Sequence, residues 1–199
     1  MEHYLPGEAQ EAEASAVLRF WFGEPPEYGT RLKRWFEKDP ALDACVRKLF
    51  LPLVERLAGG GNENWLQRRA ECLAYIIVLD QFPRHIFRDA SRAFAADPLA
   101  LRAARYAVTR EFDRALLPVE KLFAYLPFQH SEALADQLKG CELAAPLAAF
   151  IETGDVQRYA LAHHDIVQRF GRFPHRNAAL GRASTPEELS FLKEPGSSF

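Results

Sequence analysis

The sequence predicts an all-α fold of stacked antiparallel helical hairpins. Three observations carry that reading. Apolar residues recur at steps of three and four along most of the chain, the period of one helix face. Helix starts are marked by an acceptor side chain followed by proline, at Asp39-Pro40, Asp97-Pro98 and Thr185-Pro186. No segment reads as a strand, since the β-like run Tyr75-Ile-Ile-Val78 lies inside a longer helical period.

The elements follow in chain order. Asp39 supplies an N-cap and Pro40 a first helical position, and Pro52 inside that helix is expected to kink or split it. Gly59-Gly60-Gly61 joins two helices, because apolar periodicity resumes at Trp65. Leu66, Ala70, Leu73, Ile77 and Asp80/Gln81 then share one helix face, which Pro83 ends. Asp97 is expected to cap the next helix, and Pro146 to break a later one. Asp155 can cap a helix carrying Val156, Ala160, His163, Val167 and Phe170, with Gly171 as its C-cap. Thr185-Pro-Glu-Glu188 forms a capping box. This gives roughly seven to nine helices. The chain of 199 residues is expected to form a single all-helical domain over 1–199.

Composition excludes several classes. The chain is 48% hydrophobic and 26% charged, which argues against disorder and fibres. A net charge of −2 argues against a whole-surface nucleic-acid binder. Charge is nonetheless segregated: residues 1–30 hold six glutamates and one arginine, whereas residues 169–182 hold four arginines and no acid. The longest apolar run, Cys72 to Leu79, is far short of the roughly 20 residues a membrane span needs. The acidic N-terminus does not read as a signal peptide. Cys45, Cys72 and Cys141, widely spaced, read as reduced thiols of a cytoplasmic protein. Trp21, Phe22, Trp35 and Phe36 are expected in the core.

Three polar segments sit among aromatics at helix ends: Asp80 to Arg88, Tyr125 to Glu132, and His163 to Asn177. Two of them echo each other. Phe82-Pro-Arg-His85 precedes Ala90-Ser91 and Asp97-Pro98, and Phe173-Pro-His-Arg176 precedes Ala183-Ser184 and Thr185-Pro186. If these loops meet, Arg84, Arg88, Arg172 and Arg176 can bind an anion through guanidinium forks. His130, His163 and His175 are the candidate catalytic proton carriers, and Asp80 and Glu132 complete the candidate ligand-binding set. Asp165 lies about 200° around the helix from His163, so Asp80 or Glu132 is the better partner for that ring. For each arginine the plainer role is an ion pair or a helix cap.

Common catalytic templates are missing. His164-Asp165, with His130 as first ligand, is similar to the His…His-Asp…Asp metal phosphohydrolases, but no Asp follows position 165. No zinc spacing, Walker loop, G-x-S-x-G or G-x-G-x-x-G occurs. No metal and no cofactor is therefore implied.

Five ordered motifs carry a family resemblance. Val17-Leu-Arg-Phe-Trp-Phe-Gly23, Leu79-Asp-Gln-Phe-Pro-Arg-His-Ile-Phe-Arg88, Tyr125-Leu-Pro-Phe-Gln-His-Ser-Glu132, Arg169-Phe-Gly-Arg-Phe-Pro-His-Arg-Asn177 and Pro195-Gly-Ser-Ser-Phe199 resemble the bacterial domain-of-unknown-function 924 family from about residue 16 onward. His85 departs from the Asn expected there. The resemblance implies a tetratricopeptide-like α-α superhelix and assigns no activity, although the Trp-x2-Leu-Gly-x2-Tyr pattern of a strict repeat is absent. The expected function is binding, and turnover if the histidines act, of a small anionic molecule in a His/Arg pocket. The alternative is a protein-interaction scaffold with a protein partner and no catalysis. Membrane and nucleic-acid partners are not expected, although residues 169–182 keep RNA as a third possibility. Phe199 is expected to dock, with its carboxylate near an arginine.

Overall fold

Ten consecutive residues, Glu71 to Asp80, are buried on every side, and the rest of the molecule is arranged around them. They belong to α3 (Arg69–Asp80), whose unbroken apolar run leaves no polar face for solvent. The computed structural model describes residues 6–30, 35–150 and 155–197. The expected docking of Phe199 lies outside them.

Around α3 pack α1 (Pro6–Phe22), α2 (Pro40–Ala58), the short α4 (Phe82–Ile86), α5 (Asp97–Thr109) and α6 (Pro118–His130). Beyond α6 come α7 (Leu134–Ala144) and α8 (Asp155–Phe170), and α9 (Pro186–Phe191) follows near the end. Among the described residues there is no strand, and no helix is long and apolar enough to cross a membrane.

Local chemistry sets most helix limits. Asp39 Oδ1 accepts hydrogen bonds from the N–H groups of Ala41 (2.9 Å) and Leu42 (3.2 Å), capping α2. α2 runs through Pro52 to Ala58, so that proline does not split it. Pro146 does mark a break, where α7 gives way to a 3-10 turn over Ala145–Ala149. Gly171, at φ +68°, closes α8 by donating to the Val167 carbonyl at 2.8 Å. Thr185 and Glu188 exchange hydrogen bonds at the start of α9, at 3.2 and 2.7 Å. Asp97 behaves otherwise: it begins α5 without capping it, because its carboxylate is taken by two arginines.

One buried apolar cluster runs from Ala14 to Ala160, and a smaller one joins Ile166, Val167 and Phe173. Trp21, Phe22 and Trp35 lie in the core, with Trp35 Nε1 donating to the Trp21 carbonyl at 3.0 Å. Phe36 does not: it is 61% exposed and stacks on Phe123 from outside. Cys72 is buried, Cys45 and Cys141 are half-buried, and all three are unbridged.

Candidate functional site

The C-terminal end of α3 places Asp80, fully buried, beside the end of α6. His130 Nδ1 lies 2.6 Å from Asp80 Oδ1. The end of α6 is held by α7, where Gln137 Nε2 donates to the Gln129 carbonyl at 2.7 Å and also to that of Ser131. Gly140 permits this approach, since a Cβ there would stand 3.1 Å from Gln129 Cγ.

α4 adds Arg84, whose guanidinium binds Asp97 in a fork at 2.9 and 3.0 Å and also reaches the Asp80 carbonyl. From the far side of the sequence, the turn Pro174–Arg176 brings Arg176 to the same carboxylate, with Nη1 3.2 Å from Asp97 Oδ2. Both guanidiniums lie over Phe94, at 5.6 Å for Arg84 and 4.7 Å for Arg176, and Arg176 also covers Phe173 at 4.5 Å. Two arginines 92 positions apart in the chain thus share one aspartate and one aromatic ring.

The three histidines border this group. The His130 and His163 rings are 6.0 Å apart, and Phe173 lies 5.7 Å from His163 and 5.5 Å from His175. His163 Nδ1 donates to the Tyr159 carbonyl at 2.7 Å, so a backbone oxygen rather than Asp80 or Glu132 holds that nitrogen. Asp165 instead pairs with His164 at 3.0 Å on the surface.

Burial and neighbouring charge set the protonation states. Burial pushes His163 down to about 3, helped by His130, Arg176 and His175, and pushes His175 down to about 4, helped by Arg176 and His130. His130 also falls, through burial and Arg84, against the opposing pull of Asp80. Burial would raise Asp80, but His130, Arg84 and Gln81 overcome it and hold the carboxyl at about 2. Arg176 drops to about 10 through burial and the nearby Arg84. At neutral pH Asp80, Arg84 and Arg176 therefore stay ionised while the three histidines are neutral.

The other expected ligand groups fall elsewhere. Arg88 makes a fork to Asp43 at 2.8–3.0 Å, with His85 Nδ1 on the same carboxylate at 2.7 Å. Arg172 forks onto Glu188 at 2.6 and 2.8 Å. Glu132 lies next to the site but serves Arg182, at 2.7 and 2.9 Å, and the Phe173 N–H, at 2.8 Å. With Arg169 on Glu187, every arginine of the 169–182 stretch faces a carboxylate, which removes the basic strip that RNA would need. Among the described residues, no three His, Cys, Asp or Glu side chains are placed to hold a metal ion.

A family model described as bacterial protein of unknown function (DUF924) matches residues 17–196. The chain belongs to that family. A solved structure of a protein of unknown function from Agrobacterium tumefaciens is 38% identical and superimposes with a TM-score of 0.83, covering 92% of this chain and 98% of its own. No curated protein matches the chain.

Neither DUF924 relationship assigns a role to any residue. Sequence reasoning missed the part that Asp97, Phe94 and Arg182 play in or beside the site. Asp97 was hidden by a real helix-start signal, Asp-Pro, which gave its carboxylate a purely local use. Phe94 and Arg182 belong to no periodic pattern, and only their contacts expose them.

Proposed function

We propose that this DUF924 chain binds a small anionic ligand, phosphorylated or carboxylated, at the Arg84–Arg176 group. The observation that carries this is Arg176 Nε, which is buried and has no hydrogen-bond partner among the described residues. A buried donor left unmade costs about 1–3 kcal/mol, and an anionic oxygen would satisfy it. Asp97 serves both guanidiniums and the Asp80 carbonyl adds one acceptor for Arg84, so among the described residues the N–H donors outnumber the acceptors offered to them. His130, His163 and His175, neutral at pH 7, are the groups able to accept a proton from such a ligand. The three unbridged cysteines fit a cytoplasmic setting.

A thermal-shift screen against phosphorylated and carboxylated metabolites tests this reading. A ligand at about 100 times its Kd stabilises by about 2.7 kcal/mol, or about 5–10 °C for a chain of this size. Arg176→Lys keeps the charge but loses the fork, and should remove the shift, while Arg88→Ala should retain it. A shift unaffected by Arg176→Lys, or no shift with any anion, rejects the site. A tetratricopeptide-like interaction scaffold is the second reading, favoured by Leu134 and Leu138, exposed one turn apart on α7 at 43% and 55%.

A further inference from the structure

We propose that the site takes up one proton for each anion it binds, and that the proton goes to His130. This rests on the anion-binding reading above and adds the chemistry of charge balance.

The charged groups facing the site match one for one. α3 contributes Asp80, α4 Arg84, α5 Asp97 and the 174–176 turn Arg176, while Glu132 and Arg182 pair with each other alongside. An anion entering this group leaves it with an unbalanced negative charge where little water screens it. Among the described residues of the group, only the histidines can supply a compensating positive charge near neutral pH.

Geometry selects among the three. His130 Nδ1 already faces the Asp80 carboxylate at 2.6 Å, so an imidazolium there keeps an ionised partner. Its side chain is 12% exposed, so the ring is not sealed from solvent. A hydronium ion or buffer acid delivers the proton: its O–H bond breaks, water or the conjugate base leaves, the Nε2 lone pair forms the new N–H bond, and the site gains a donor for the ligand. His163 is less suited: its Nδ1 is committed to the Tyr159 carbonyl, a neutral acceptor, and Arg176 opposes a charge on the ring. His175 sits against Arg176, whose charge opposes protonation more strongly than Glu132 favours it. Arg84 opposes a charge on His130, and an anion bound to Arg84 lifts that opposition.

The probe is sulfate, which does not titrate near neutral pH, added to the intact chain in a weakly buffered solution at pH 7 and compared with chloride at equal ionic strength. We expect sulfate to stabilise the chain, proton uptake to approach one per bound sulfate, and affinity to fall about tenfold for each pH unit above 6.5 until the bound-state pKa is passed. His130→Gln should bind sulfate with no proton uptake and a flat pH profile, whereas His164→Gln, outside the site and paired with Asp165, should keep both the uptake and the pH dependence. In the wild-type chain, the His130 Hε1 NMR resonance should move to its imidazolium position as sulfate is added, a readout that does not depend on any variant folding. Sulfate binding without proton uptake, or with uptake that survives His130→Gln, overturns this inference and leaves the anion site standing. No sulfate-specific stabilisation overturns both.

Discussion

Residues 82–88 and 173–182 begin with nearly the same string, Phe-Pro-Arg-His and Phe-Pro-His-Arg, yet they are built differently. In the first, the string opens the short helix α4. Arg84 turns inward to Asp97, while His85 and Arg88 turn to Asp43 on α2. In the second, it forms a single 3-10 turn that sends Arg176 to Asp97 and leaves His175 beside Phe173. The residues that follow differ in use as well. Asp97 gives up helix capping to neutralise both arginines, whereas Thr185 caps α9 and hands Glu188 to Arg172. Swapping the order of Arg and His thus lets two unlike backbones deliver a guanidinium to one point.

Removing the point of convergence should have the largest effect. Asp97→Ala leaves the buried Arg176 without its carboxylate and the half-buried Arg84 with only Asp80, at 3.7 Å, and should cost about 3–5 kcal/mol in urea unfolding. A loss below about 1 kcal/mol would mean that the two segments do not depend on each other.

Acid should come next, and it probes the second segment. The folded-state values of His163 and His175, about 3 and about 4, lie below the ordinary 6.5. The unfolded chain therefore binds more protons between these limits, so this stability is fully present above pH 6.5 and drains away as pH falls below it. The slope is at most about 1.4 kcal/mol per pH unit for each histidine. Urea midpoints measured from pH 7 to pH 4 should fall accordingly. His163→Asn should flatten the profile more than His175→Asn, because His163 is only 6% exposed and His175 is half-buried.

The outer pair of the first segment should matter least. Arg88 is 33% exposed at its side chain, and Asp43 retains His85 when Arg88 is lost. Arg88→Ala should cost about 1 kcal/mol or less, readable in the same urea assay. A cost equal to that of Asp97→Ala would show that the two arginine clusters are energetically alike and would erase the distinction drawn between them.

Much of the helical architecture was legible because its causes are short-range. Asp39, Gly171 and the Thr185–Glu188 box act on backbone groups within about one turn, so composition and spacing suffice to find them. The candidate site was legible only as an inventory. His130, His163, His175, Arg84, Arg176 and Asp80 could be named from their residue types, but nothing local separates Arg84 from Arg88 or Arg176 from Arg172. Each of the four has an acid within reach of its own geometry, and which acid it meets depends on how the helices pack.

Asp97 marks the dividing line. Its sequence neighbours predict an N-cap, worth about 1 kcal/mol, whereas the buried Arg176 guanidinium left without an anion would cost several times that. Neutralising the guanidiniums therefore prevails over capping, and that demand exists only once α3, α4, α5 and the 174–176 turn have come together. Periodicity and capping settle where helices lie along the chain because both act over a few residues. Long-range packing settles which charges meet, because burial makes an unpaired charge too costly to leave and that burial is a property of the assembled fold.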